Sequence, residues 1–125
     1  MGWQLDKDRP IYIQLVEELQ SRIVSGRYPP GSKVASVRDL AAEAAVNPNT
    51  MQRALAELEQ NGLLRAERTS GRFVTEDAAL IASVRKELAR EKIGAFVRDM
   101  SVLGYQKKDI IVLMKETMEG EENDG

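Results

Sequence analysis

Four consecutive residues, Ala45-Val46-Asn47-Pro48, constrain this chain more than any other feature. On both sides of them apolar residues recur at helical spacing, so two helices are separated by a very short turn. Asparagine is a favoured N-cap, because its side chain accepts a bond from a free N–H of the first turn. Proline suits the first helical position, where its missing N–H costs nothing. Before the break, Ser36-Val37-Arg38-Asp39 fits a capping box with Asp in place of the usual Glu, and Val37, Leu40, Ala41 and Ala44 make one apolar face. After it, Met51, Ala54, Leu55 and Leu58 form an inward stripe that runs to about Gln60, closed by Asn61-Gly62. The spacing predicts a helix-turn-helix.

The flanking segments fit around that pair. Residues 1–9 read as a loose arm. Pro10 opens an amphipathic helix with Ile11, Leu15, Leu19 and Ile23 in one stripe, which ends at Gly26. Tyr28-Pro29-Pro30-Gly31 stops that helix, and Lys33-Val34-Ala35 could form a very short strand. Leu63 to Arg68 and Arg72 to Thr75 predict two short strands turning through Thr69-Ser70-Gly71. From Asp77 to about Gly104 the pattern is helical again, with a displacement of the apolar stripe near Gly94 that suggests a bend. A last short helix holds Ile110, Leu113, Met114 and Met118. The expected fold class is mainly α with a small β-hairpin: a winged helix-turn-helix domain over residues 1–75, a helical segment over 76–119, and a disordered acidic tail over 120–125.

Composition removes several function classes. The 125 residues include no cysteine, so disulfides, zinc–thiolate sites and thiol nucleophiles are excluded. They include no histidine either, which removes the commonest general base and the commonest transition-metal ligand. No metal site, cofactor or catalytic residue is expected, and the chain does not read as an enzyme. The longest apolar run is five residues, far short of the ~20 needed to cross a bilayer, and no signal peptide precedes the first helix. The expected setting is the cytoplasm. A net charge of −2 argues mildly against a nucleic-acid partner, since such domains are usually basic. The charge is uneven, however: residues 1–75 carry net +1 and residues 76–125 net −3.

The helix after the turn opens with small polar residues, as a recognition helix does when it turns its N-terminal end toward base edges. Asn49, Thr50 and Gln52 can hydrogen-bond to bases or phosphates, and Asn47 stands at the start of the same helix. Arg38 begins the preceding helix, Arg53 lies one step around from the groove-facing set, and Arg65, Arg68 and Arg72 put positive charge on or near the hairpin. The same spacing also fits a winged-helix interaction module that binds a protein and no DNA.

Several motifs separate these readings. Tyr28-Pro29-Pro30-Gly31, Val34-Ala35-Ser36-Val37-Arg38-Asp39-Leu40-Ala41, Val46-Asn47-Pro48-Asn49-Thr50-Met51-Gln52-Arg53-Ala54 and Leu58-Glu59-Gln60-Asn61-Gly62-Leu63 together resemble the GntR family of bacterial transcription regulators, in its order and spacing, over roughly residues 9–75. The resemblance implies a winged helix-turn-helix that binds operator DNA, with Arg38, Asn49, Thr50, Gln52 and the wing residue Gly71 at DNA-contacting positions and Arg53 a weaker candidate. Ala35 stands where the family usually has Pro, Asp39 where it has Glu, and Ala45 where Gly is frequent. The wing reads Thr69-Ser70-Gly71-Arg72 in place of Gly-x-Gly-Thr.

The short, two-helix C-terminal region resembles the YtrA-type subfamily, in which such helices serve dimerisation. The stripe of Ile81, Val84, Leu88, Phe96, Met100 and Leu103 needs a partner surface, and a second copy of the chain is the expected one. The resemblance implies a homodimeric repressor of a palindromic operator. A small-molecule effector, if one exists, is not identified by the sequence.

Overall fold

A computed structural model describes residues 2–124, with side chains through residue 121. Five helices and one hairpin follow in the order α1 (Ile11–Val24), α2 (Val37–Ala44), α3 (Pro48–Gln60), β1 (Leu64–Glu67), β2 (Gly71–Val74), α4 (Ala78–Val102) and α5 (Lys107–Asp124). The chain divides into two compact units, Met1–Arg85 and Lys86–Gly125.

In the first unit the caps form where the sequence places them. Ser36 Oγ accepts the Asp39 N–H at 3.1 Å, and Asn47 Oδ1 accepts the Asn49 N–H at 2.8 Å. Between the two caps the backbone reverses at Ala45, whose φ of 60° is left-handed. The Ala45 N–H bonds to the Ala42 carbonyl and the Val46 N–H to the Ala41 carbonyl, the bonding pattern of a Schellman turn. A methyl-bearing residue pays roughly 1–2 kcal/mol to sit there. α1 begins one residue later than its sequence suggests, because Pro10 takes the N-cap.

The core is the common face of three helices and the hairpin. Leu15, Leu19 and Ile23 of α1, Leu40 and Ala41 of α2, and Met51, Ala54, Leu55 and Leu58 of α3 are buried with Leu63, Leu64 and Val74. Each fully buried large aliphatic side chain contributes about 1.5–3 kcal/mol. β1 and β2 pair antiparallel with Leu64 opposite Val74 and Glu67 opposite Gly71. The expected third strand shrinks to a single bridge between Lys33 and Phe73, flanked by bonds from the Val34 N–H to the Arg72 carbonyl and from the Val74 N–H to the Ser32 carbonyl.

Two expectations are corrected. The N-terminal arm is docked rather than loose: the buried Gln14 side chain accepts the Asp6 N–H and donates to the Asp6 and Arg9 carbonyls. Trp3 lies over the Arg22 guanidinium, 4.4 Å from charge to ring centroid, and donates to Glu43 at 2.6 Å. The first unit also extends past Thr75. Ile81, expected in a dimer stripe, is 8% exposed, and Arg85 donates to the Val24 carbonyl. The boundary therefore falls at Arg85, inside α4, which stays helical through Gly94. The helix α5 extends to Asp124, over most of the acidic residues read as a tail. Gly125 lies outside the described residues.

The second unit holds the rest of α4 and α5. Gly104, at φ 98°, turns the chain between them, and the Tyr105 N–H returns to the Met100 carbonyl. Ile110 is buried. Ile93, Phe96, Leu103, Ile111, Val112 and Met118 are exposed.

Candidate nucleic-acid interface

α3 is fixed on one side and open on the other. Met51, Ala54, Leu55 and Leu58 have no exposed surface, while Asn49 and Gln52 are exposed and Thr50 is half-buried. The stripe of 3.6-residue period that anchors the helix thus leaves its polar first turns free for hydrogen bonding. Asn47, also a sequence candidate, has its side-chain oxygen committed to capping.

The arginines divide. Arg38 is exposed on α2, and neither it nor Arg68 joins an ion pair among the described residues. Arg53 is turned toward α1, its guanidinium 3.6 Å from the centroid of the Tyr12 ring. Arg65 pairs with Glu67 on its own strand and lies 5.1 Å from the Phe73 ring centroid. Arg72 leaves the wing and pairs with Glu59 of α3, with its side chain only 19% exposed. The sequence candidates Arg53, Arg65 and Arg72 thus have partners within the domain, whereas no side-chain partner is seen for Arg38, Asn49, Thr50, Gln52 or Arg68 among the described residues.

Gly71 occupies the wing turn at φ 102°, a conformation that side-chain-bearing residues rarely adopt. A methyl group there would also meet Lys33 Cε at 3.2 Å. Lys33, a residue sequence reasoning passed over, crosses the wing at this glycine. Its only sequence signal is a cation just before the Ser36 cap. Between the wing and the start of α2 lies an open cleft of about 510 Å³, bordered by Lys33, Ser36, Arg38, Ser70 and Gly71.

Behind α3, an ionic cluster braces the helix-turn-helix against α1. Arg22 donates to Glu18, Glu43 and Tyr28 at 2.7–2.9 Å. Burial works against its charge, but the bonds to Glu18, Tyr28 and Glu43 outweigh that and raise its pKa further. The same bond from Arg22, opposed by burial and helped by Trp3, holds the Glu43 carboxyl below its ordinary range. No group of three or more acidic, His or Cys side chains placed to hold a metal occurs among the described residues, and no helix is long and apolar enough to cross a membrane.

The pattern of the bacterial regulatory proteins, gntR family, matches residues 11–74. The chain belongs to the GntR family. Its first unit is the family's DNA-binding winged helix-turn-helix, and the protein is a transcriptional regulator. Among GntR relatives, the uncharacterised HTH-type regulator YhcF of Bacillus subtilis is 35% identical over 120 residues, which is 96% of this chain and 99% of YhcF. The HTH-type transcriptional repressor YtrA of the same organism is 29% identical over 86% of this chain and 83% of its own. A GntR regulator structure from Listeria monocytogenes superposes with a TM-score of 0.83 at 39% identity, over 90% of this chain and 98% of that one. The DNA-binding domain of AraR, solved with its operator ORE1, matches 60% of this chain and 94% of its own at a TM-score of 0.52 and 28% identity.

Proposed function

We propose that this GntR regulator is a cytoplasmic repressor that binds a palindromic operator as a homodimer. The observation that carries the reading is the exposure of Asn49 and Gln52 on a helix whose opposite face is fully buried. Set in the major groove, that helix offers Asn49 and Gln52 to base edges and Thr50 to base or backbone. Arg38 and Arg68 neutralise phosphates on either side. Asn47 keeps the helix start in order, and Gly71 shapes the wing. Arg53, stacked on Tyr12, and Arg72, paired with Glu59, brace the domain.

Dimerisation is assigned to the second unit. Phe96 and Leu103 are 38% and 71% exposed, Leu88 and Met100 are half-buried, and Ile93, Ile111 and Val112 add further uncovered apolar surface; Val84, also half-buried, belongs to the first unit. Apolar surface of this kind favours burial against a second copy. The operator complex of the AraR domain and the repressor name of YtrA support the same reading.

Selecting bound duplexes from a random pool, then titrating the winner by gel shift, tests it directly. The expected result is an inverted-repeat sequence bound by two copies of the chain. Equal affinity for selected and random duplexes would overturn the proposal.

A further inference from the structure

The wing carries an arginine that points away from its tip and receives a lysine from outside. Arg72 belongs to β2, yet its guanidinium is turned back onto Glu59 of α3. Lys33 precedes α2, yet its backbone bridges to Phe73 of β2 and its side chain lies over the wing turn. A Cβ added at Gly71 would stand 3.2 Å from Lys33 Cε and 3.9 Å from its Nζ, so the ammonium reaches the tip because that position has no side chain. Lys33 is exposed and joins no ion pair among the described residues. The cleft it borders has Arg38 on its α2 side, hydroxyls at Ser36, Thr69 and Ser70, and Arg72 on its β2 side with the guanidinium held by Glu59; no carboxylate lines it.

We infer that Lys33 adds a contact with the nucleic-acid backbone at the wing turn, beside that of Arg68, while Arg72 stays on Glu59, and that the cleft between Lys33 and Arg38 receives a phosphate. The inference rests on the DNA-binding reading above and adds a residue to it. An ammonium is a compact charge on a flexible stem, suited to a phosphate whose position on the duplex is fixed by other contacts. A phosphate contact carries no sequence information, so its loss costs the same on every duplex.

The test compares the full chain with Lys33→Met, Lys33→Arg and Arg72→Gln on a selected duplex and on a random one. Methionine keeps the unbranched stem over Gly71 and removes only the charge. Lys33→Met should weaken both complexes equally and flatten the salt dependence by about 0.9 in log–log slope. Its deficit should then be about 3.5-fold larger at ~50 mM than at ~200 mM salt. Lys33→Arg should restore the slope, and Arg72→Gln should leave it unchanged. Thermal melts of each variant separate a lost contact from a lost fold. If Lys33→Met keeps wild-type affinity and slope, or if Arg72→Gln is the variant whose slope falls, the inference is wrong. Failure of the wild-type chain to bind either duplex would instead remove the DNA-binding reading itself.

Discussion

At the scale of single residues, Glu43 has the most to do that the sequence does not announce. It accepts from Arg22 of α1 and from Trp3 of the arm, so one carboxylate on α2 ties three segments together. Because its folded pKa lies below the unfolded value of 4.5, its contribution is complete above that pH and is lost as pH falls through the lower folded value. Glu43→Gln should flatten the acid limb of the stability curve and cost about 1 kcal/mol at neutral pH, the low end for a charge-assisted bond, since its side chain is half exposed. Urea titrations between pH 3 and 7 would reveal an unaltered acid limb if the assignment were wrong. On α3, Asn49→Ala or Gln52→Ala should cost ~1–3 kcal/mol at one base pair per half-site. Competition between single-base operator variants measures it, and a uniform loss on all duplexes would mean that these side chains touch only backbone.

At the scale of elements, the turn between α2 and α3 was legible because its causes are local. Ser36 and Asn47 cap residues two or three positions away, and the apolar periods on either side have no rival interpretation. The destinations of the arginines were not legible. Arg72 finds Glu59 thirteen residues earlier, and Arg53 finds Tyr12 on another helix, and no local pattern encodes either meeting. The docked arm was missed for the same reason, since its partners Arg22 and Glu43 lie on two other elements. The wing shows how a local and a distant constraint can share one residue. Gly71 satisfies a positive φ and also leaves room for Lys33. Gly71→Ala should therefore destabilise the domain by roughly 1–2 kcal/mol and weaken DNA binding as well. A thermal melt and a gel shift together check this, and a variant with wild-type melting and binding would show that the turn tolerates a side chain.

For the whole molecule, the division at Arg85 changes where the DNA-binding unit can be cut free. Ile81 is buried in that unit, so a chain ending at Thr75 would lose its burial, worth about 1.5–3 kcal/mol, while one ending at Arg85 keeps it. The chain ending at Arg85 should fold, sediment as a monomer and bind the operator at least ~100-fold more weakly than the full chain, because the second half-site is no longer tethered. Phe96→Asp with Met100→Asp in the full chain should behave alike, by placing charge in the proposed interface. A dimeric first unit with full affinity would move the dimer contact out of the C-terminal helices.

The placement of Trp3 has a practical consequence for anyone who studies this regulator in solution. It is the only tryptophan, and it reports on the arm lying over Arg22, not on the aliphatic core. Emission excited at the indole band therefore follows release of residues near the N-terminus, while far-ultraviolet ellipticity follows the helices. On acidification, protonation of Glu43 weakens the bonds it accepts from the indole N–H and from Arg22, so the emission maximum should follow the arm while ellipticity follows the helices. Two optical signals that part company in this way would report a local opening, and a single tryptophan trace read alone would be mistaken for global unfolding.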